Sequence, residues 1–178
     1  SKNLWKNIRR YWRRSETDFA LPRLSKLVNV ADMDLALERF GALETDGWKG
    51  KAGTAVSYDN EQGAFYRQVL RRFATTGQAA VFELHIGNSL ASSRLVINNQ
   101  HMTIILKTAY NESLARFAPG RLLLYRLIEQ QLELPAKRTI EFYTNATSDQ
   151  KDWATFACTI QNIQIFRNPL TATAFSVL

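Results

Sequence analysis

Apolar positions recur along the chain with two periods, one close to 3.6 residues and one of two, and the changes between them mark the elements. Leu4, Ile8 and Trp12 stand four apart, with Trp5 and Tyr11 beside them, so the opening segment predicts a helix with one aromatic stripe. Residues 21–30 predict a short strand. From Asp32 to about Thr45 the spacing is helical again, placing Met33, Leu37, Phe40 and Glu44 on one face, and Asp32 and Asp34 suit a helix start. Residues 47–54 carry Gly47, Gly50 and Gly53, which predict an ordered but non-helical loop. From Asn60 to Ala74 the pairs Phe65/Val69/Phe73 and Tyr66/Leu70 predict another helix, with Arg67, Arg71 and Arg72 outward and Gly77 ending it.

The middle of the chain changes to period two. Phe82, Leu84 and Ile86 share one face of a first strand, leaving Glu83 and His85 on a solvent side. A turn at Gly87-Asn88 leads to a second strand through Arg94-Leu95-Val96-Ile97. Asn98-Asn99 then leads to a third, in which Met102, Ile104, Leu106, Thr108 and Tyr110 point one way and Lys107 the other. Three such segments joined by tight polar turns predict an antiparallel meander over residues 78–110. A helix from Pro119 to Glu133 follows, with Leu124, Ile128 and Leu132 as a core stripe and Leu123 and Leu127 beside it. The remaining elements are a strand at 139–143, a short helix at 149–153 and a last strand at 158–166. The fold class is α/β (α+β), with a mixed, mostly antiparallel sheet flanked by helices.

With 178 residues, 46% of them hydrophobic, the chain suits one well-buried core. The net charge of +7 suggests a nucleic-acid partner until it is located. Lys2, Lys6, Arg9, Arg10, Arg13 and Arg14 account for six of the 23 basic residues with no acid among them, leaving 17 against 16 acidic residues elsewhere. The body of the chain is therefore nearly neutral, and the basic opening helix at 1–20 reads as a connecting element ahead of a domain at 21–178, after a possible preceding domain. One cysteine, Cys158, and two histidines, His85 and His101, supply neither an internal disulfide nor a typical zinc site, so no metal is expected. No apolar run approaches the roughly 20 residues of a membrane span, and a cytoplasmic location is the expectation.

The passage from Tyr110 to Arg121 carries the most chemistry. Pro119 suits the first turn of a helix, where its missing N–H costs nothing, and the N–H groups after it point back toward the incoming loop. With Arg116 and Arg121 nearby, that helix start suits a phosphate.

Lys107-Thr108-Ala109-Tyr110-Asn111-Glu112, followed by Ala115-Arg116-Phe117-Ala118-Pro119-Gly120 and Leu122-Leu123, resembles the acyltransferase family that includes the CelD/BcsL cellulose-biosynthesis proteins, a FemAB/FemX-related branch of the GNAT superfamily. Residues 43–55, with Trp48-Lys49-Gly50, and residues 3–10 resemble the same family. Three departures stand out: Asn111 in place of Asp, Phe117-Ala118 in place of Tyr-Ser, and Gln150 in place of Tyr. The resemblance implies a GNAT fold in which the strand ending at Tyr110 splays from its neighbour and the pantetheine of acetyl-CoA, or another acyl-CoA, lies in the gap. It implies cofactor contacts from Lys107, Thr108, Arg116, Phe117, Pro119, Gly120, Arg121, Leu122 and Asn145. It further implies an acceptor amine or hydroxyl on a small molecule or saccharide, in exopolysaccharide or cell-envelope biosynthesis.

Acyl transfer from a thioester needs an acceptor relieved of its proton and a donor for the leaving thiolate. Glu44, on a core-facing stripe, is the candidate base, its alternative being an ion pair with Lys49 or Lys51. Tyr110 is the candidate donor, its alternative being core filling. Trp48 and Lys49 are candidates for the acceptor or an anionic group. Two other functions fit the sequence: aminoacyl transfer from tRNA, drawing on the basic opening helix, and a non-catalytic interaction module.

Overall fold

The structure, a computed structural model, describes residues 2–136, 138–143, 146–159, 161, 163, 165 and 166. Two compact units are present, residues 1–146 and 147–178.

The first unit is organised on a five-stranded sheet in sequence order. Strands β1 (Pro22–Leu27), β2 (Ala79–Ile86), β3 (Ser89–Asn98) and β4 (Met102–Tyr110) are antiparallel neighbours, and β5 (Thr139–Glu141) runs parallel to β4. The expected meander is β2-β3-β4, turned at Gly87, whose φ of 62° lies in the left-handed region that glycine enters without steric cost.

Helices cover both faces. Helices α2 (Met33–Asp46) and α4 (Glu61–Ala74) pack over the face that carries Ala79, Val81, Leu95 and Ala109, forming one core with Met33, Ala36, Leu37, Phe40 and Leu70. The predicted stripe Met33/Leu37/Phe40/Glu44 is buried throughout. Helices α1 (Lys2–Asp18) and α5 (Pro119–Glu133) lie on the other face, where Trp5 meets Tyr125 edge to face with ring centroids 5.5 Å apart. Leu4 and Ile8 are buried, while Trp5 stays exposed.

Several local expectations give way to tertiary context. On α5 the buried side chains are Pro119, Leu122, Leu123, Leu124, Leu127 and Gln131, while Leu132 is exposed. The stripe is rotated because Gln131 is drawn inward, its Oε1 lying 2.9 Å from the Thr103 hydroxyl of β4. Phe65 of α4 is likewise exposed, and Leu70 takes the core position. Strand β2 is buried on both faces rather than alternating with solvent. Glu83 is only 2% exposed because Arg39 of α2 donates to its Oε1 at 2.8 Å, as a buried carboxylate requires.

Strand β4 does not alternate uniformly either. The register with β3 slips at Leu95/Val96, so that Val96 pairs with Ile105 and Leu95 with Lys107. This bulge leaves Leu106 as an extra residue and inverts the facing of everything beyond it. Residues 47–54 also contain one helical turn, α3 (Trp48–Lys51), where a plain loop was expected.

In the second unit, α6 (Ser148–Trp153) begins with a reciprocal cap in which Gln150 N–H donates to the Thr147 hydroxyl and Thr147 N–H to the Gln150 side chain. That gives Gln150 a local structural role. The described residues among 158–166 form no strand, and Ile163 and Ile165 are 81% and 93% exposed. No helix of the described residues is long and apolar enough to cross a membrane.

Candidate active site

The site gathers where β4 leaves its last neighbour. β5 pairs with β4 only at Met102, Thr103 and Ile104, whereas β4 continues to Tyr110. Beyond Ile104 that edge of β4 has no strand partner among the described residues, which opens a gap in the sheet. At its end Leu43, Glu44, Gly47, Trp48, Lys49, Thr108, Ala109, Tyr110 and Glu112 line a pocket of about 30 Å³. That volume holds little more than a water-sized group, so only the reacting end of an acceptor would be enclosed.

Glu44, Trp48, Lys49, Thr108 and Tyr110 thus come together although they lie on separate segments. Glu44 is 3% exposed. Its Oε2 accepts from Val56 N–H at 2.9 Å and its Oε1 from the Lys49 ammonium, so both oxygens are engaged and the carboxylate is ion-paired. The Lys49 side chain remains a quarter exposed. Tyr110 and Trp48 are exposed at the rim. On the neighbouring helix α4, burial first and the Glu44 charge second push the Tyr66 phenol above its usual 10.0.

The turn that carries Trp48 is held in two ways. A Cβ on Gly50 would sit 1.8 Å from the Thr45 carbonyl oxygen, so this close crossing admits only glycine. Trp48 N–H, the first donor of α3, is capped by Glu112 Oε1 at 2.7 Å. This partner lies 64 residues away, which is why a local reading of residues 47–54 finds no helix.

Glu112 opens a 3-10 helix, Glu112–Phe117, capped by Asn111, whose side-chain oxygen accepts from Ser113 N–H at 2.9 Å. Asn111 is therefore sufficient here where the resembling sequences carry Asp. Phe117 fills a core cluster with Ile86, Ala91 and Leu114. Ala118 then adopts φ 49°, ψ 52°, a left-handed conformation that is strained for a residue with a Cβ. Pro119 follows as the first residue of α5.

Arg121 and Leu122 N–H both return to the Ala118 carbonyl, and no side chain caps the helix. Gly120 N–H, an orphan donor of the first turn, points out of the helix. A Cβ on Gly120 would meet nothing within 4 Å. The helix start is thus open at Gly120, with Arg116 exposed in the preceding turn.

The other expected cofactor residues are placed differently. Phe117 and Leu122 are fully buried, leaving only their backbone for a ligand. Lys107 faces α4, its ammonium 5.6 Å from the Tyr66 ring centre, because the bulge turns it to that side. Arg116 is exposed and stacks on Phe117 with its Cζ 4.5 Å from the ring centre. Asn145 lies outside the described residues. Nothing in the sequence pattern singles out Glu112, Tyr66 or Arg94 by itself; the one available signal is that Arg94, a charged residue, heads the apolar run Leu95-Val96-Ile97. No three of His, Cys, Asp and Glu gather to hold a metal among the described residues.

The family model of the acetyltransferase (GNAT) domain matches residues 2–151. The chain belongs to this family. It is a GNAT-type acetyltransferase domain, a fold that in general provides an acyl-CoA site. Among curated proteins, none matches the sequence. Of the solved structures, a possible acetyltransferase from Clostridium difficile 630 is similar with a TM-score of 0.58 at 6% identity, covering 82% of this chain and 97% of its own. A GCN5-related N-acetyltransferase from Ralstonia eutropha JMP134 is similar with a TM-score of 0.52 at 13% identity, covering 83% and 99%. An aminoglycoside acetyltransferase from an uncultured soil metagenomic sample, in complex with trehalose, has a TM-score of 0.54 at 11% identity, covering 83% and 95%. At these identities the likeness is one of fold.

Proposed function

We propose that this GNAT domain transfers the acyl group of acetyl-CoA, or of a longer acyl-CoA, to an amine or hydroxyl on a small-molecule or saccharide acceptor, in the manner of the CelD/BcsL-like proteins of exopolysaccharide biosynthesis. The observation that carries the reading is the convergence of Glu44, Trp48, Lys49 and Tyr110 on the end of β4, where that strand parts from β5. The thioester would lie along β4 with the CoA diphosphate at the first turn of α5, and the acceptor would enter past Trp48 and Lys49.

The acceptor nitrogen or oxygen attacks the thioester carbonyl carbon, the new C–N or C–O bond forms and the C–S bond breaks. Tyr110 supplies the proton that the departing thiolate takes up, its phenol being exposed at the pocket rim. Glu44 receives the proton of the acceptor. For this its Oε1 must be released by Lys49, and the partly exposed lysine has room to withdraw when an acceptor arrives. Before then, the pair keeps a buried carboxylate compensated.

Thiol release from acetyl-CoA, measured against a panel of amines and saccharides, tests the reading. Turnover that falls about 10²–10⁴-fold in Glu44→Gln and Tyr110→Phe supports both roles. Unchanged turnover in Glu44→Gln would leave Glu44 as half of a structural ion pair, and absence of turnover with intact CoA binding would favour a non-catalytic module. The tRNA-dependent reading has one observation of its own, the exposed face of α1 where Lys6, Arg9, Arg10 and Arg13 surround Trp5. Steeply salt-dependent tRNA binding that disappears on deleting residues 1–14 would favour it.

A further inference from the structure

Helices α1 and α5 pack together on one face of the sheet, with a groove of about 300 Å³ between them. Its walls are aromatic, formed by Trp5 and Trp12 of α1 and Tyr125 of α5 beside the buried Ile8. Three guanidinium groups, those of Arg9, Arg13 and Arg126, border it against one carboxylate, Glu129. That carboxylate is already engaged, since the Tyr125 hydroxyl donates to its Oε1 and Arg126 Nη1 to its Oε2. Arg9 and Arg13 are exposed and form no hydrogen bond or ion pair among the described residues. The buried Arg126 Nε likewise makes no hydrogen bond among them.

Folding does not account for this arrangement. Leu4, Ile8 and Ser15 are the buried residues that anchor α1 to the domain, and Trp5 stays 46% exposed. Arg9 and Arg13 stand four apart, where like charges on a helix repel, and Arg126 brings a third positive charge to the same groove. A ring-bearing anion reverses these effects. Aromatic walls receive a flat ring by stacking, and guanidinium forks match phosphate oxygens in pairs. Inorganic phosphate would leave the walls unused, and an aliphatic chain would find only Ile8 among the rings. The volume lies at the lower end of small-ligand cavities, which suits one nucleoside phosphate rather than a strand. An adjoining groove of about 510 Å³ shares Trp5, Arg9 and Arg13 and adds Lys6 and Arg10, giving a phosphate chain room and further positive charge.

We propose that the α1–α5 groove is a binding site for a free nucleoside phosphate, with the base against Trp5, Trp12 and Tyr125 and the phosphates on Arg9 and Arg13. It is separate from the pocket at Trp48, which is lined by α2 from the opposite face of the sheet, and it does not depend on the acyl-transfer reading. The adenylate end of CoA carries the same chemistry, so competition with CoA tells a separate nucleotide site from an extension of the cofactor site.

Calorimetric titration of the full chain with ADP, GDP and UDP, alone and at saturating CoA, tests the site. At least one of the three should bind saturably and keep its affinity in the presence of CoA. The matching nucleoside and inorganic pyrophosphate should each bind at least about tenfold more weakly, because each uses only half of the groove. The double variant Arg9→Gln/Arg13→Gln, altered on an exposed face, should lower nucleotide affinity at least about tenfold. Trp5→Ala should lower it on the order of fivefold or more, with Trp5→Phe recovering most of the loss. Circular dichroism checks each variant, and if Trp5→Ala does not fold, the arginine variant decides alone. Absence of saturable binding by all three nucleotides, pyrophosphate binding as tight as theirs, or unchanged affinity in either folded variant would overturn the proposal. Displacement by saturating CoA would overturn it by assigning the nucleotide to the cofactor site. A short single-stranded RNA that binds at least about tenfold tighter than any nucleotide would overturn it in favour of a strand-binding surface.

Discussion

Replacing Gly120 by valine separates binding from folding at the start of α5. In the protein itself nothing opposes the change: Gly120 is outside the left-handed region and a Cβ there meets no atom within 4 Å. On intrinsic helix propensity valine is better than glycine by a few tenths of a kcal/mol, so the thermal midpoint should stay or rise slightly. Its two methyl groups, however, project into the space assigned to the CoA phosphates, beside the outward Gly120 amide. CoA affinity should then fall at least about tenfold, equivalent to about 1.4 kcal/mol. Gly120→Ala adds only the Cβ and should lose less. The assay is calorimetric titration with CoA and pantetheine, with melting followed by circular dichroism. Full CoA affinity in a folded Gly120→Val variant would show that this turn is an ordinary helix start and remove the physical support for the diphosphate site.

Other outcomes follow from the packing and the charges. Leu127→Ala, at a fully buried position of α5, should cost about 2–5 kcal/mol in denaturant unfolding through the cavity it leaves, whereas Leu132→Ala should cost far less because Leu132 is exposed. Gly50→Ala should move the α3 turn away from the Thr45 carbonyl, read as an altered Trp48 fluorescence and a loss of turnover that exceeds any loss of CoA affinity. Tyr66 has a folded value raised above 10.0, so its contribution to stability is fully present below pH 10 and declines as pH rises through the folded value. Tyr66→Phe should therefore lessen the alkaline loss of stability in denaturant midpoints while leaving them unchanged near neutral pH.

Elements whose residues answer to their neighbours in sequence were legible: the apolar face of α2, the meander with its glycine turn at 87, and the helix opened by Pro119 all stand where the periodicity puts them. What escaped depends on partners far along the chain. Glu83 looks solvent-facing because a strand pattern cannot show that Arg39 of α2 reaches it. The inverted facing of Lys107 comes from a register slip against β3, and no count of alternate residues reveals where a strand takes up an extra one. Of the candidate site, the structure shows that Glu44, Trp48, Lys49 and Tyr110 line one pocket. The Glu44–Lys49 ion pair stands where the sequence offered it as the alternative to a free base, whereas the Glu112 bond to Trp48 joins residues 64 apart and no local pattern announces it.

The bond from Trp48 N–H to Glu112 joins the turn at the mouth of the pocket to the 3-10 helix that leads into Ala118 and α5. Two surfaces that would meet different substrates are thereby parts of one linkage. A ligand at α5 that displaced the 3-10 helix would be felt at Trp48 through this bond, and an acceptor that shifted Trp48 would be felt at Ala118. Thermodynamic reciprocity makes the two influences equal: whatever factor CoA contributes to the affinity for acceptor, the acceptor must contribute to the affinity for CoA. Cutting the link with Glu112→Ala should move both factors toward one together, leaving a domain that binds its two substrates as strangers to each other.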